Sequence, residues 1–124
     1  MCVGDDFKRF IADRKFSTIL ADPPWQFQNR TGKVAPEHKR LTRYETLKLD
    51  EICSMPVKDV LTKEAHLYLW VPNALLLEGL AVLQAWGFKY KTVAFVWIKQ
   101  NKKTPSLFWG LGFWTRANAE ICIL

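Results

Sequence analysis

Apolar and polar positions divide the chain into short extended runs separated by stretches of helical spacing or of none. Residues 16–21, Phe16-Ser17-Thr18-Ile19-Leu20-Ala21, are mostly apolar and include β-branched Thr18 and Ile19, the pattern of a central strand covered on both faces. A second run covers residues 66–71 and is broken by Pro72. Asn73 then offers an N-cap for a helix over residues 74–86, in which Leu75, Leu76, Leu80, Leu83 and Trp86 are spaced to cover a sheet, with Gly87 as the C-terminal stop. Residues 90–98, rich in Val and aromatics, predict a third strand. Two short helical segments complete the picture. One lies within residues 1–15, where Phe7, Phe10 and Ile11 recur at helical spacing, and the other over 50–55, ending before Pro56. The order strand, helix, strand predicts an α/β fold with a parallel sheet, in a single domain over residues 1–124.

Two irregular segments carry the cations. Residues 26–44 hold Gly32 and Pro36, and Arg30, Lys33, Lys39, Arg40 and Arg43 stand there against the single acid Glu37. A structureless connection of this length is usually functional, and its position predicts an active-site lid whose cations meet phosphates; a merely soluble loop is the alternative. His38 has no partner ligand in view, and no metal role is assigned. Residues 99–116 bring Lys99, Lys102 and Lys103 and then Phe108-Trp109-Gly110-Leu111-Gly112-Phe113-Trp114, an interleaving of bases and aromatics that suits a nucleic-acid strand. The net charge of +6, from 18 basic and 12 acidic residues, favours a polyanionic partner. Cys2, Cys53 and Cys122 form no C-x-x-C pair and imply structural thiols in a reducing cytosol. Asp5, Asp6, Lys8 and Arg9 occupy the place of a leader's apolar core. The apolar region over 67–88 is broken by Pro72-Asn73 and Glu78, so no membrane span is expected.

The candidate chemistry lies where the first strand stops. Pro23 and Pro24 lack backbone N–H groups, so Asp22 is presented at a strand's carboxyl end on a stiff backbone that offers acceptors. That arrangement suits methylation of a planar exocyclic amino group, whose nitrogen is a poor nucleophile while its lone pair is delocalised into the ring. Asp22 and the Pro23 carbonyl would each accept one amino hydrogen and hold the lone pair toward a methyl donor. Trp25 would supply a stacking face for the base, rotated out of its stack.

Asp22-Pro23-Pro24-Trp25 after a buried strand resembles the catalytic motif of the MT-A70 family of adenine methyltransferases, which includes messenger-RNA enzymes and many bacterial and phage DNA enzymes. The resemblance implies a Rossmann-like methyltransferase sheet with flanking helices and S-adenosylmethionine as methyl donor. It places Asp5 or Asp6, with Asp22 and Pro23, near the cofactor; the alternative for Asp5 and Asp6 is a solvated charge pair. Tyr44, in Tyr44-Glu45-Thr46-Leu47, resembles the family's tyrosine that closes over cofactor or base. Trp70 and Trp97 match aromatic residues that line the base pocket, with sheet packing as the alternative. Trp114 and Glu120 match the tryptophan and acid of a second active-site loop, which would make residues 119–124 a fourth strand, and Glu120 would meet the base, or else face solvent. Phe108 to Gly112 also fits the F-x-G-x-G pattern of cofactor-binding turns, but Asn101-Lys102-Lys103-Thr104-Pro105 precedes it where an apolar strand is required, so that reading is rejected.

One departure stands out. Family members continue with further strands, whereas about four strands are legible here and the last residues are the apolar Ile121-Cys122-Ile123-Leu124; a truncated product or fragment is expected. The reading is an adenine-N6 methyltransferase domain acting on DNA, with RNA as the alternative substrate. A non-catalytic nucleic-acid-binding relic or partner subunit, in a homo- or hetero-oligomer, is the alternative in kind. Transfer to a protein glutamine amide, which uses Asn in place of the acid, fits less well.

Overall fold

The computed structural model describes residues 3–27, 45–110 and 115–124. Helix α1 (Val3–Ile11) leads into strand β1 (Phe16–Ala21). After the second described segment begins come α2 (Leu49–Cys53), a 3₁₀ turn (Val57–Val60) and β2 (Leu61–Val71). A further 3₁₀ turn (Asn73–Leu75) opens onto α3 (Leu76–Ala85), and β3 (Val93–Trp97) and β4 (Glu120–Ile123) follow. The sheet order is β1-β2-β4-β3.

The α/β class and the four strands are as the sequence predicts. Their directions differ in one respect. β1 pairs with β2 in parallel, but β4 runs antiparallel to both β2 and β3, so the sheet is mixed. The cause is the connection: no crossover helix lies between β3 and β4 among the described residues, and a chain that returns without one pairs antiparallel.

Alternation along the strands sorts side chains onto two unequal faces. Leu67, Leu69 and Val71 of β2 and Ile123 of β4 are buried, and with Ile52, Val82, Leu83 and Trp86 they form the core on the helical side. The Trp86 indole N–H donates to the Ile52 carbonyl at 2.9 Å, which ties α3 to α2. Gly79 lets α3 lie against β2, because a Cβ there would stand 2.5 Å from a Val71 methyl carbon. Gly87 ends the helical segment in the left-handed region, φ +89°. Asn73 does not cap α3. It sits inside the 3₁₀ turn and donates its side-chain N–H to the Ala119 carbonyl at 2.5 Å, linking that turn to the approach to β4. Leu76 is 40% exposed and lies outside the buried core that covers the sheet.

Among the described residues the other face is open, and there the expectation of a first strand covered on both faces is corrected. β1 stands at one end of the described sheet order, and Leu20, 70% exposed, points away from the helices. Tyr68, Trp70, Phe95 and Trp97 share that face and cover one another: Tyr68 stacks on Phe95 at 6.0 Å, and Trp70 meets Trp97 edge to face at 6.4 Å. Cys122 is buried and Cys53 half-buried, and burial pushes both thiols up, with Asp50 adding to the effect at Cys53. No helix among the described residues is long and apolar enough to cross a membrane.

Candidate active site

The parallel strands β1, β2 and β3 share a carboxyl end, and the chain's chemistry collects there. Asp22 follows Ala21, which pairs with Leu69 one residue before Trp70. Trp97 ends β3 opposite Glu120, the first residue of β4. Asp22, Trp70, Trp97 and Glu120 therefore occupy one edge of the sheet.

Asp22 is exposed and forms no ion pair among the described residues. With Pro23, Pro24 and Glu45 it walls an open cleft of about 370 Å³. Partial burial at the strand end, and secondarily the charge of Glu120, push its carboxyl above the usual carboxylate range. Glu120 is in turn held by the Lys99 ammonium, which also stands over the Trp97 ring at 5.9 Å. A chain of charge thus runs from Lys99 through Glu120 to Asp22.

The two prolines act as expected on direction but not wholly on acceptor capacity. The Pro23 carbonyl already takes the Trp25 N–H at 2.8 Å, leaving one lone pair for a ligand. The Pro24 carbonyl takes the Leu47 N–H at 2.9 Å, which anchors the chain re-entering after the basic segment. The largest correction concerns Trp25. Its ring is 8% exposed and lies in the core, and its indole N–H donates to the Trp70 carbonyl at 3.0 Å. It pins the Asp22 turn to the end of β2 rather than presenting a face to a base. The aromatic surface open to a ligand is Trp97, 57% exposed, with half-buried Trp70 behind it.

Other expected residues fall elsewhere. Asp5 and Asp6 lie exposed in the first turn of α1, and no hydrogen bond or ion pair joins either to Asp22 among the described residues. Arg30, Lys33, Lys39, Arg40, Arg43, Tyr44 and Trp114 lie outside the described residues. Lys102 and Lys103 are exposed on the segment after β3. The Gly110 N–H donates to the Ala117 carbonyl at 2.9 Å, and the rest of the F-x-G-x-G segment, Leu111 and Gly112, lies outside the described residues.

Sequence reasoning missed Asn118. Its side-chain oxygen accepts the Lys99 backbone N–H at 2.6 Å, and its amide N–H group donates to the carbonyls of Lys99 at 2.9 Å and Phe108 at 2.5 Å. One side chain thereby fixes the start and middle of the segment before Glu120. An Asn two residues before a charged strand start was the only available signal.

The raised Asp22 carboxyl makes a pH prediction. If the carboxylate is the working form, the rate falls as pH drops through a value above the ordinary 3.8 of an aspartate. Glu120→Gln removes the like charge and frees Lys99, and both effects favour the carboxylate. The acid limb of kcat/KM is expected to move to lower pH in that variant, though not to the ordinary value, because burial persists. A limb that stays put, measured across matched buffers, would show that Asp22 is not the group being titrated.

A model of the MT-A70 family matches residues 16–124. The type II methyltransferase M.MunI from Mycoplasma sp. is 31% identical over 100 residues, covering 69% of this chain and 43% of that protein. The human N(6)-adenosine-methyltransferase catalytic subunit METTL3 is 29% identical over 111 residues, 89% of this chain and 17% of that one. The Arabidopsis thaliana N6-adenosine-methyltransferase non-catalytic subunit MTB is 30% identical over 94 residues, 74% of this chain and 11% of that one. The chain spans less than half the length of each of these relatives.

Proposed function

The chain belongs to the MT-A70 family of adenine-N6 methyltransferases, and from that premise we propose that it transfers a methyl group from S-adenosylmethionine to the exocyclic amino group of adenine in DNA. The observation that carries the reading is Asp22. It is a carboxylate at the tip of β1, free of ion pairing among the described residues, beside an open cleft and on the same sheet edge as Trp70 and Trp97.

The charged side chains described around that cleft, Asp22 and Glu45, are both acids, and this donor set fits a sulfonium cation. When bound, S-adenosylmethionine supplies an electrophilic methyl group. Asp22 and the remaining lone pair of the Pro23 carbonyl accept the two amino hydrogens and turn the nitrogen lone pair out of the ring plane. Trp97, backed by Trp70, offers the base a flat apolar face. After transfer the nitrogen sheds a proton, and Asp22, whose affinity for protons is raised, is suited to accept it. The free thiols suit a reducing cytosol.

DNA is favoured by the likeness to M.MunI, and RNA is the alternative by the likeness to METTL3. A non-catalytic partner role, suggested by the likeness to MTB, is opposed by the Asp22 carboxylate, which has no ion-pair partner among the described residues. The test is incubation with isotopically labelled S-adenosylmethionine and adenine-containing DNA or RNA, followed by nucleoside mass spectrometry. N6-methyladenine in DNA is the expected product. Its appearance only in RNA moves the substrate, and its absence from both polymers despite nucleic-acid binding overturns the reading.

A further inference from the structure

Past β3 the chain forms a braced hairpin rather than a loose loop. Gln100 bridges to Leu107, the Asn101 N–H donates to the Ser106 carbonyl at 2.9 Å, and the Phe108 N–H donates to the Lys99 carbonyl at 3.0 Å. Asn118 locks both walls by bonding the Lys99 backbone and the Phe108 carbonyl. Between those walls lies a groove of about 730 Å³ with Trp97 and Phe108, 57% and 43% exposed, and with Lys99, Gln100, Asn101 and Lys102 along it.

The groove is continuous with the sheet edge that carries Asp22, because Trp97 meets Trp70 on one side and lines the groove as well. Its charges are not equivalent. Lys99 is committed to Glu120, whereas Lys102 and Lys103 have no ion-pair partner among the described residues. Flat apolar walls with side-chain amides at hand suit a heterocycle, and an unmatched cation beside them suits a phosphate.

We propose that this groove is a second nucleotide subsite, which holds an unpaired nucleotide next to the target adenine with its base against Trp97 and Phe108 and its phosphate at Lys102. The subsite rests on the reading of the chain as a nucleic-acid methyltransferase and adds that the enzyme engages a locally single-stranded flank. Because the walls are hydrogen-bonded in place beforehand, little ordering is left to binding.

Fluorescence anisotropy with labelled oligothymidylate tests it, since that strand holds no adenine and reports the subsite apart from the methylation pocket. Oligouridylate and an adenine–thymine duplex serve as comparison arms. Phe108→Ala and Lys102→Glu are each expected to weaken oligothymidylate binding about tenfold, with unchanged thermal melting because both side chains are exposed. Lys102→Glu should also reduce the salt dependence by about one charge. Equal binding by parent, Phe108→Ala and Lys102→Glu overturns the subsite, as does parental preference for duplex. A change of mass on sedimentation in Phe108→Ala, with DNA affinity intact, makes the groove a protein interface and overturns it too. Methyl transfer unaffected by Phe108→Ala sinks the subsite alone. Phe108-dependent strand binding in a protein that methylates no adenine sinks the activity alone.

Discussion

Asp22→Ala is expected to lower methyl transfer by about 10²–10⁴-fold while leaving melting temperature and nucleic-acid affinity close to those of the parent. The expectation follows from where the side chain stands. It is exposed at the tip of β1 and takes no part in the core, so its removal opens no cavity. Folding gains slightly, if anything. A carboxyl whose folded pKa lies above its unfolded value holds its proton more tightly when folded, so its ionisation at neutral pH opposes folding, and that cost vanishes as pH falls through the raised value. Turnover loses the charged acceptor at the tip of β1, which has no cationic partner among the described residues. Asp22→Asn sharpens the test. The amide keeps the size and one acceptor oxygen, but it replaces the second acceptor with a donor that opposes the amino hydrogens and removes the charge. Both variants should fail in kcat with little change in the KM for nucleic acid. Turnover at the parental rate in either, by incorporation of labelled methyl, would refute amino-group orientation by this residue.

How far the sequence could carry these conclusions depended on whether a residue's role was local. Asp22-Pro23-Pro24 was legible because strand termination and the loss of N–H donors are properties of those residues themselves. The four strands, α3 and its Gly87 stop were legible for the same reason. What failed depended on which element lies next to which. An apolar run of six residues fits a strand covered on both faces and one covered on a single face equally, and only the packing of the core against one side of the sheet shows that Leu20 faces outward. The direction of β4 turned on the connection after residue 98, which holds no crossover helix among the described residues and was read as a substrate loop. Lys99 and Glu120 lie far apart in sequence and meet only because β3 and β4 pair. Asn118 had no pattern to announce it, since its partners are backbone groups of distant residues.

Trp25 is the place where local chemistry misled, and its substitution carries the second large effect. An indole next to a catalytic acid reads as a stacking platform, yet here the ring fills the core among Ile52, Leu69 and Val71 and spends its N–H on the Trp70 carbonyl. Trp25→Ala should therefore cost about 3–5 kcal/mol, a large fraction of the stability of a small domain, with the loss visible in urea unfolding. Trp25→Phe separates the two roles. Phenylalanine keeps an aromatic face and much of the volume, but it leaves the Trp70 carbonyl without its donor, at a cost of roughly 1–2 kcal/mol. A stacking role predicts that Trp25→Phe melts like the parent and keeps its nucleic-acid KM, and that Trp25→Ala raises that KM with modest loss of stability. A core role predicts lowered stability in both variants. It also predicts a fall in kcat for Trp25→Phe, because the turn that aims Asp22 is no longer fixed to β2, with nucleic-acid KM unchanged. The hydrogen bond to Trp70 decides between them in favour of the core: a ring held by its N–H to the neighbouring strand has no freedom to follow a base into the cleft.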